Sequence, residues 1–204
     1  MYYRSPAEPP TMEIVETAIP DVKVITPKRF RDRRGFFSET FRRSVLAECG
    51  ADVELVQDNH SMSAQLGTVR GMHCQAPPHE QVKLVRVLRG SIFDVAVDVR
   101  RGSPTYGRLV TVELNAETFA QLLLPAGFLH GYCTLEPNTE VLYKVSAYYD
   151  PSSERGIRWD DPDLSIPWPA CADGATLSPK DLALGRFADF DTPFGAASRG
   201  AAQP

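Results

Sequence analysis

Seven short segments of β-strand composition, at residues 21–25, 69–75, 83–88, 91–99, 108–114, 119–124 and 140–147, recur at near-regular spacing through the chain. They are rich in β-branched and aromatic residues, and turn sequences such as Arg89-Gly90, Arg101-Gly102-Ser103-Pro104 and Glu136-Pro137-Asn138 separate them. Strands this short cannot bury an apolar face alone, so they must close over one another as a sandwich or barrel. The pattern predicts an all-β jelly roll, a double-stranded β-helix with its functional site inside the barrel. Helix signal is thin. Phe41, Val45, Leu46 and Cys49 mark one short helix over residues 40–49 with Gly50 as its stop, and a second is expected to begin at Ser178.

The 204 residues suffice for one full core, and nothing marks a second, so a single domain over residues 12–191 is expected. Residues 1–11 and 192–204 are rich in Pro, Gly, Ala and Ser without periodicity, which predicts flexible ends. A formal net charge of -4 and a pI near 5.6 give no global basic field for nucleic acid or an anionic membrane. An anionic ligand therefore needs a local basic pocket. No window approaches the ~18 continuous apolar residues of a membrane span, and residues 1–10 lack the apolar centre of a secretion signal, so a cytoplasmic protein is expected. Cys49, Cys74, Cys133 and Cys171 have no paired spacing, which predicts scattered reduced thiols rather than a disulfide framework or a zinc site.

Strand alternation assigns the polar residues to faces. Lys83 shares a face with Val85 and Val87, and Tyr143 with Val141, Val145 and Ala147, so both point with the hydrophobes. A lysine on such a face is costly unless it is paired or used. Asp94 and Asp98 alternate with Phe93, Val95, Val97 and Val99, which reads as an ordinary half-buried strand with its charges opposite the apolar row. His73 and Cys74 point to opposite faces, which argues against Cys74 as a nucleophile beside that histidine.

A second histidine, His130, follows the turn Pro125-Ala126-Gly127 at the spacing where barrels of this kind often hold a metal. The ligand slot two residues after His73 is Gln75, a poor ligand, and His79 and Glu80 read as solvated loop residues. A metal-free pocket is expected. Histidine, lysine and tyrosine in one cavity then suit proton transfer next to a carbonyl. The histidine removes an α-proton, the lysine stabilises the enolate oxygen and the tyrosine returns a proton from the other side.

Several motifs in order extend this reading: FRDRRGFFSETF, VQDNHS, VRGMHCQ, QVKLVRVLRGSIFDVAVDVRRGSPTYG, PAGFLHG, EVLYKVSAYYDPSSERGIRWDDPDL and LSPKD. Through them the chain, from about Ile19 to Asp181, resembles the dTDP-4-dehydrorhamnose 3,5-epimerases of deoxysugar biosynthesis. The resemblance implies a cupin-type jelly roll, a homodimer, and no metal or nucleotide redox cofactor. It implies inversion of C3 and C5 of a 4-keto-6-deoxyhexose carried on thymidine diphosphate. His73 matches the family's proton acceptor, Asp181 the carboxylate paired with it, Tyr143 the proton donor and Lys83 the residue beside the keto oxygen. Substrate contacts carry over to Arg34, Glu39, Gln57, Asp58, Asn59, Arg70, His130, Glu154 and Lys180. Arg34 and Arg70 suit a diphosphate, since a guanidinium donates to two oxygens at once.

Some of these positions carry a second, simpler reading. Ser178, Pro179 and Asp181 also fit N-cap, N1 and N3 of a short helix, an arrangement that needs no catalysis. Alternation sends Arg70 away from His73 unless a bulge near Gly71 re-aims it. Tyr148, Tyr149 and Trp159 either stack on the base or serve packing. Cys74 stands where the family has an aromatic, and Ser146-Ala147 where a more polar pair is common, departures that bear on double against single epimerisation. A single-site epimerase would keep the same acid and base, whereas a non-catalytic sugar-nucleotide-binding cupin would lack them.

Overall fold

In the computed structural model, which describes residues 12–195, the strand-like segments pair into two facing antiparallel sheets. The strands are β1 (Met12–Glu16), β2 (Lys23–Pro27), β3 (Arg29–Asp32), β4 (Gly35–Ser38), β5 (Gln57–Ser63), β6 (Val69–Gln75) and β7 (Lys83–Arg89). They continue as β8 (Ser91–Asp98), β9 (Leu109–Asn115), β10 (Gln121–Leu124), β11 (Phe128–Thr134), β12 (Thr139–Val145) and β13 (Glu154–Gly156). One sheet runs β1-β2-β10-β7-β12-β5 and the other β13-β6-β11-β8-β9, while β3 and β4 form a separate hairpin. This is the expected cupin-type jelly roll.

The inner faces meet in one apolar cluster. Val85, Val87, Leu122 and Val141 from the first sheet pack against Ile92, Ala96, Val110, Leu114 and Phe128 from the second. Each large side chain so buried contributes roughly 1.5–3 kcal/mol. Helix α1 (Arg43–Glu48), shorter than the expected 40–49, lays Val45 and Leu46 on Ile25, Leu84 and Leu123 outside the first sheet, and Gly50 ends the segment at φ +83°.

Strand β8 corrects the reading of its two aspartates. Asp94 and Asp98 do lie opposite the bulky apolar row, but both are fully buried and share the inward face with Ile92 and Ala96. The row of Val95, Val97 and Val99 faces outward and is buried beneath the C-terminal segment, against Ile157, Leu164 and Phe194. Both faces of this strand are core, and each charge has a partner: Asp94 meets His130, and Asp98 meets Arg100, Ser103 and Thr105.

The same packing shortens the expected free tail. Thr192 and Phe194 are buried, the Thr192 hydroxyl donates to the Val99 carbonyl, and the Arg101 amide donates to the Phe194 carbonyl at 3.0 Å. The expected flexible segments at 1–11 and beyond 195 lie outside the described residues. Among the described residues no helix is long and apolar enough to cross a membrane.

Candidate active site

The site begins with an irregularity in β6. His130 pairs with His73 and Tyr132 with Arg70, so a step of two residues on β11 meets a step of three on β6. The extra residue is a β-bulge at Gly71, which turns both Arg70 and His73 to the same cavity. Glycine is required there. Its φ is +121°, and a Cβ would come within 2.6 Å of the Gly131 Cα and 2.7 Å of the His130 carbonyl oxygen.

The cavity, of about 440 Å³, opens between the sheets. Its first-sheet wall carries Gln57, Asn59 and Ser61 from β5, Lys83 from β7 and Tyr143 from β12. Its second-sheet wall carries Arg70 and His73 from β6 and His130 and Tyr132 from β11, and Glu154, Lys180 and Asp181 close one end.

His73 Nε2 lies 2.6 Å from Asp181 Oδ1 and 3.9 Å from Glu154. The N–H does not point straight along the shorter line, and neither atom has another hydrogen-bond partner among the described residues. The simple and the catalytic readings of Asp181 hold together. Helix α2 (Pro179–Leu182) starts at Ser178, whose Oγ accepts from the Asp181 amide at 3.1 Å, while the same hydroxyl donates to Asp181 Oδ2 at 2.8 Å. Burial raises the Asp181 pKa, but His73 and Ser178 outweigh it and hold the carboxyl below its ordinary value. An anion is thus fixed beside the imidazole.

Opposite, Lys83 makes no hydrogen bond or ion pair among the described residues, and burial lowers its pKa, partly offset by Cys74, Asp94 and Glu154. Burial likewise raises the Tyr143 pKa, so its phenol keeps a proton to give. His130 donates to both oxygens of Asp94 at 2.9 and 3.1 Å, in a pair that is almost wholly buried. Asp94, which alternation alone reads as an ordinary half-buried charge, lies behind the cavity wall as the partner of His130.

At the rim, Glu154 accepts from the Tyr149 hydroxyl at 2.6 Å and from Lys180. Burial raises its pKa, yet these two donors and His73 bring it below the ordinary value. Gln75, set aside above as a poor metal ligand, is a brace. Its Oε1 accepts from the Asp150 amide at 2.7 Å and its Nε2 donates to the carbonyls of His79 and Tyr148 at 2.7 and 3.2 Å. Among the described residues no three His, Cys, Asp or Glu side chains converge as metal ligands would.

Three expected contacts lie elsewhere. Asp58 is on the opposite face of β5 from Gln57 and Asn59 and pairs with Lys144 at 2.8 Å. Arg34, 84% exposed, pairs with Asp32 at the tip of the β3–β4 hairpin, and Glu39 pairs with Arg42. None of the three lines this cavity. Trp159 packs on Trp168, and Cys74 packs among Met72, Val95 and Leu129 with its thiol pushed up to about 12 by burial.

A jelly roll with a histidine–carboxylate pair, an unpartnered lysine and a protonated tyrosine round one cavity is an isomerase of the cupin type, built to remove and return protons at carbon. The family model for dTDP-4-dehydrorhamnose 3,5-epimerase matches residues 16–189, and the chain belongs to that family. The chain is 56% identical over 152 residues to the dTDP-4-dehydrorhamnose 3,5-epimerase of Sinorhizobium fredii, covering 74% of this chain and 78% of the relative. It superposes with a TM-score of 0.84 on the Legionella pneumophila dTDP-6-deoxy-D-glucose-3,5-epimerase in complex with dTDP-4-keto-L-rhamnose, at 44% identity and covering 88% and 95% of the two chains. A 3'-monoepimerase from Streptomyces bikiniensis in complex with dTDP-quinovose matches with a TM-score of 0.79 at 33% identity, covering 85% and 87%.

Proposed function

We propose that the protein inverts C3 and C5 of dTDP-4-keto-6-deoxy-D-glucose to give dTDP-4-keto-L-rhamnose, as a cytoplasmic homodimer and without a cofactor. His73 removes the proton next to the keto group, and the electron pair of the broken C–H bond moves into the carbonyl to form an enolate. Asp181 stabilises the imidazolium that results. Lys83 and His130 face the oxygen that gains charge, and Tyr143 delivers a proton to carbon from the opposite side. His73 then loses its proton to solvent and Tyr143 regains one, so no electrons are gained or lost overall.

One observation carries this reading: His73, with Asp181 of α2 beside it, and Tyr143 stand on opposite sheets and face one cavity. Inversion needs an acid and a base on opposite faces of the sugar ring. Arg70, which makes no ion pair among the described residues, supplies local positive charge for the diphosphate in an otherwise acidic protein. The higher identity to the 3,5-epimerase than to the monoepimerase, 44% against 33%, supports inversion at both carbons.

Incubation with dTDP-4-keto-6-deoxyglucose in heavy water, followed by NMR at C3 and C5 with no added cofactor, tests the proposal. Exchange and inversion at both carbons is the expected result. Exchange at one carbon makes the protein a single-site epimerase, and binding without exchange refutes the catalytic reading for this substrate.

A further inference from the structure

Cys133 and Cys171 are 38 residues apart in the sequence, yet their sulfurs lie 3.9 Å apart. Cys133 is fully buried on β11, on the face turned away from the catalytic cavity. Cys171 is partly exposed in a single 3-10 turn, Ala170–Ala172. Both thiols contact the Thr134 carbonyl, at 3.7 and 3.8 Å, within an apolar cluster that includes Val69 and Ala172. The other two cysteines, Cys49 and Cys74, belong to different clusters.

We propose that Cys133 and Cys171 are an oxidation site at which a peroxide closes a disulfide, stapling the segment that leads to Asp181 onto the barrel. The exposed partner reacts first. The Cys171 sulfur attacks one oxygen of hydrogen peroxide, the O–O bond breaks, and a sulfenic acid forms with release of one water. The Cys133 sulfur then attacks the Cys171 sulfur, the S–O bond breaks, and a second water leaves with the Cys133 proton. Two thiols have lost two hydrogens and the peroxide has been reduced to two waters.

Burial pushes the Cys133 thiol up to about 12, which suits it to the second step rather than the first. The sulfurs must close from 3.9 Å to the ~2.05 Å of a disulfide, a shift small enough for a short turn to absorb. Five residues beyond Cys171, the Thr176 amide donates to the Gly67 carbonyl at 3.1 Å and the Thr176 carbonyl accepts from the Val69 amide at 3.0 Å. Ser178 and Asp181 follow directly. The staple therefore reinforces the native path of the chain that sets Asp181 against His73. It stabilises without switching turnover off. In a reducing cytoplasm the pair stays open until a peroxide reaches it.

The test uses the full chain, reduced, desalted, treated with a small excess of hydrogen peroxide, then unfolded in denaturant, alkylated and mapped without reduction. A linked peptide joining Cys133 to Cys171 within one chain is expected, with Cys49 and Cys74 recovered alkylated. The unfolding midpoint should rise by at least ~4 °C, reversibly on adding a thiol reductant, with turnover retained. Cys171→Ser should lose both the link and the gain in midpoint. Recovery of Cys171 as sulfinic acid beside a free Cys133 thiol, a link between two chains, or loss of turnover on closure would overturn the proposal.

Discussion

Tyr143 and His73 divide the two halves of a proton transfer, and single changes separate them. Tyr143→Phe removes the proton donor but leaves the base, so deuterium from solvent should still enter the substrate with retention while inversion falls ~100-fold or more. His73→Asn should abolish exchange and inversion together, with KM little changed, because proton abstraction precedes both. Exchange lost in Tyr143→Phe would show that the tyrosine acts before the enolate forms. Lys83 and Tyr143 were legible as inward-facing because each shares a face with valines of the core. Asp94 was not. Alternation separates an apolar row from a polar one, but in β8 both rows are buried, and only the packed C-terminal segment reveals which faces the space between the sheets.

At the scale of the element, β6 holds two functional groups that a regular strand would point apart. The bulge depends on facing glycines: a Cβ on Gly131 would meet the Met72 sulfur at 2.6 Å and the Arg70 carbonyl at 2.9 Å. Gly71→Ala should therefore cost ~2 kcal/mol or more in urea unfolding and lower kcat/KM further than the stability loss explains. Wild-type kinetics in that variant would mean the bulge does not set the Arg70–His73 geometry. The need for a bulge could be read from the sequence, since both residues match family positions and alternation forbids both. Strands β5 and β11 could not. In β5, QDNHSMS, one face lines a polar cavity and the other is exposed, so no apolar alternation betrays it. In β11 the histidine and glycine that build the site interrupt the hydrophobic run.

For the whole molecule, stability and assembly follow from where charge and aromatic surface end up. Burial raises the Asp98 pKa, but hydrogen bonds from Arg100, Ser103 and Thr105 outweigh it and leave the value lowered, and Glu154 and Asp181 are lowered too. The unfolded chain binds protons more readily at these groups, so their stabilisation is complete above about pH 4–5 and is lost as pH falls through the lower folded values. The urea midpoint should be flat near neutrality and drop in that acid range, and Asp98→Asn should lower it at pH 7 while flattening the drop. The β3–β4 hairpin makes the complementary case for assembly. Phe37 is 64% exposed at its edge, and among the described residues Arg34 pairs only with Asp32 and lies outside this chain's cavity. We propose that in the homodimer this hairpin serves the partner's cavity, so that every site draws on two chains. Arg34→Ala and Tyr143→Phe should then each be impaired alone, and mixing them with subunit exchange should restore activity. Random exchange makes half of the dimers mixed, each with one intact site of two, so recovery should reach about a quarter of the wild-type rate. If Arg34 instead served its own chain, every mixed site would carry one lesion, and no recovery would be seen.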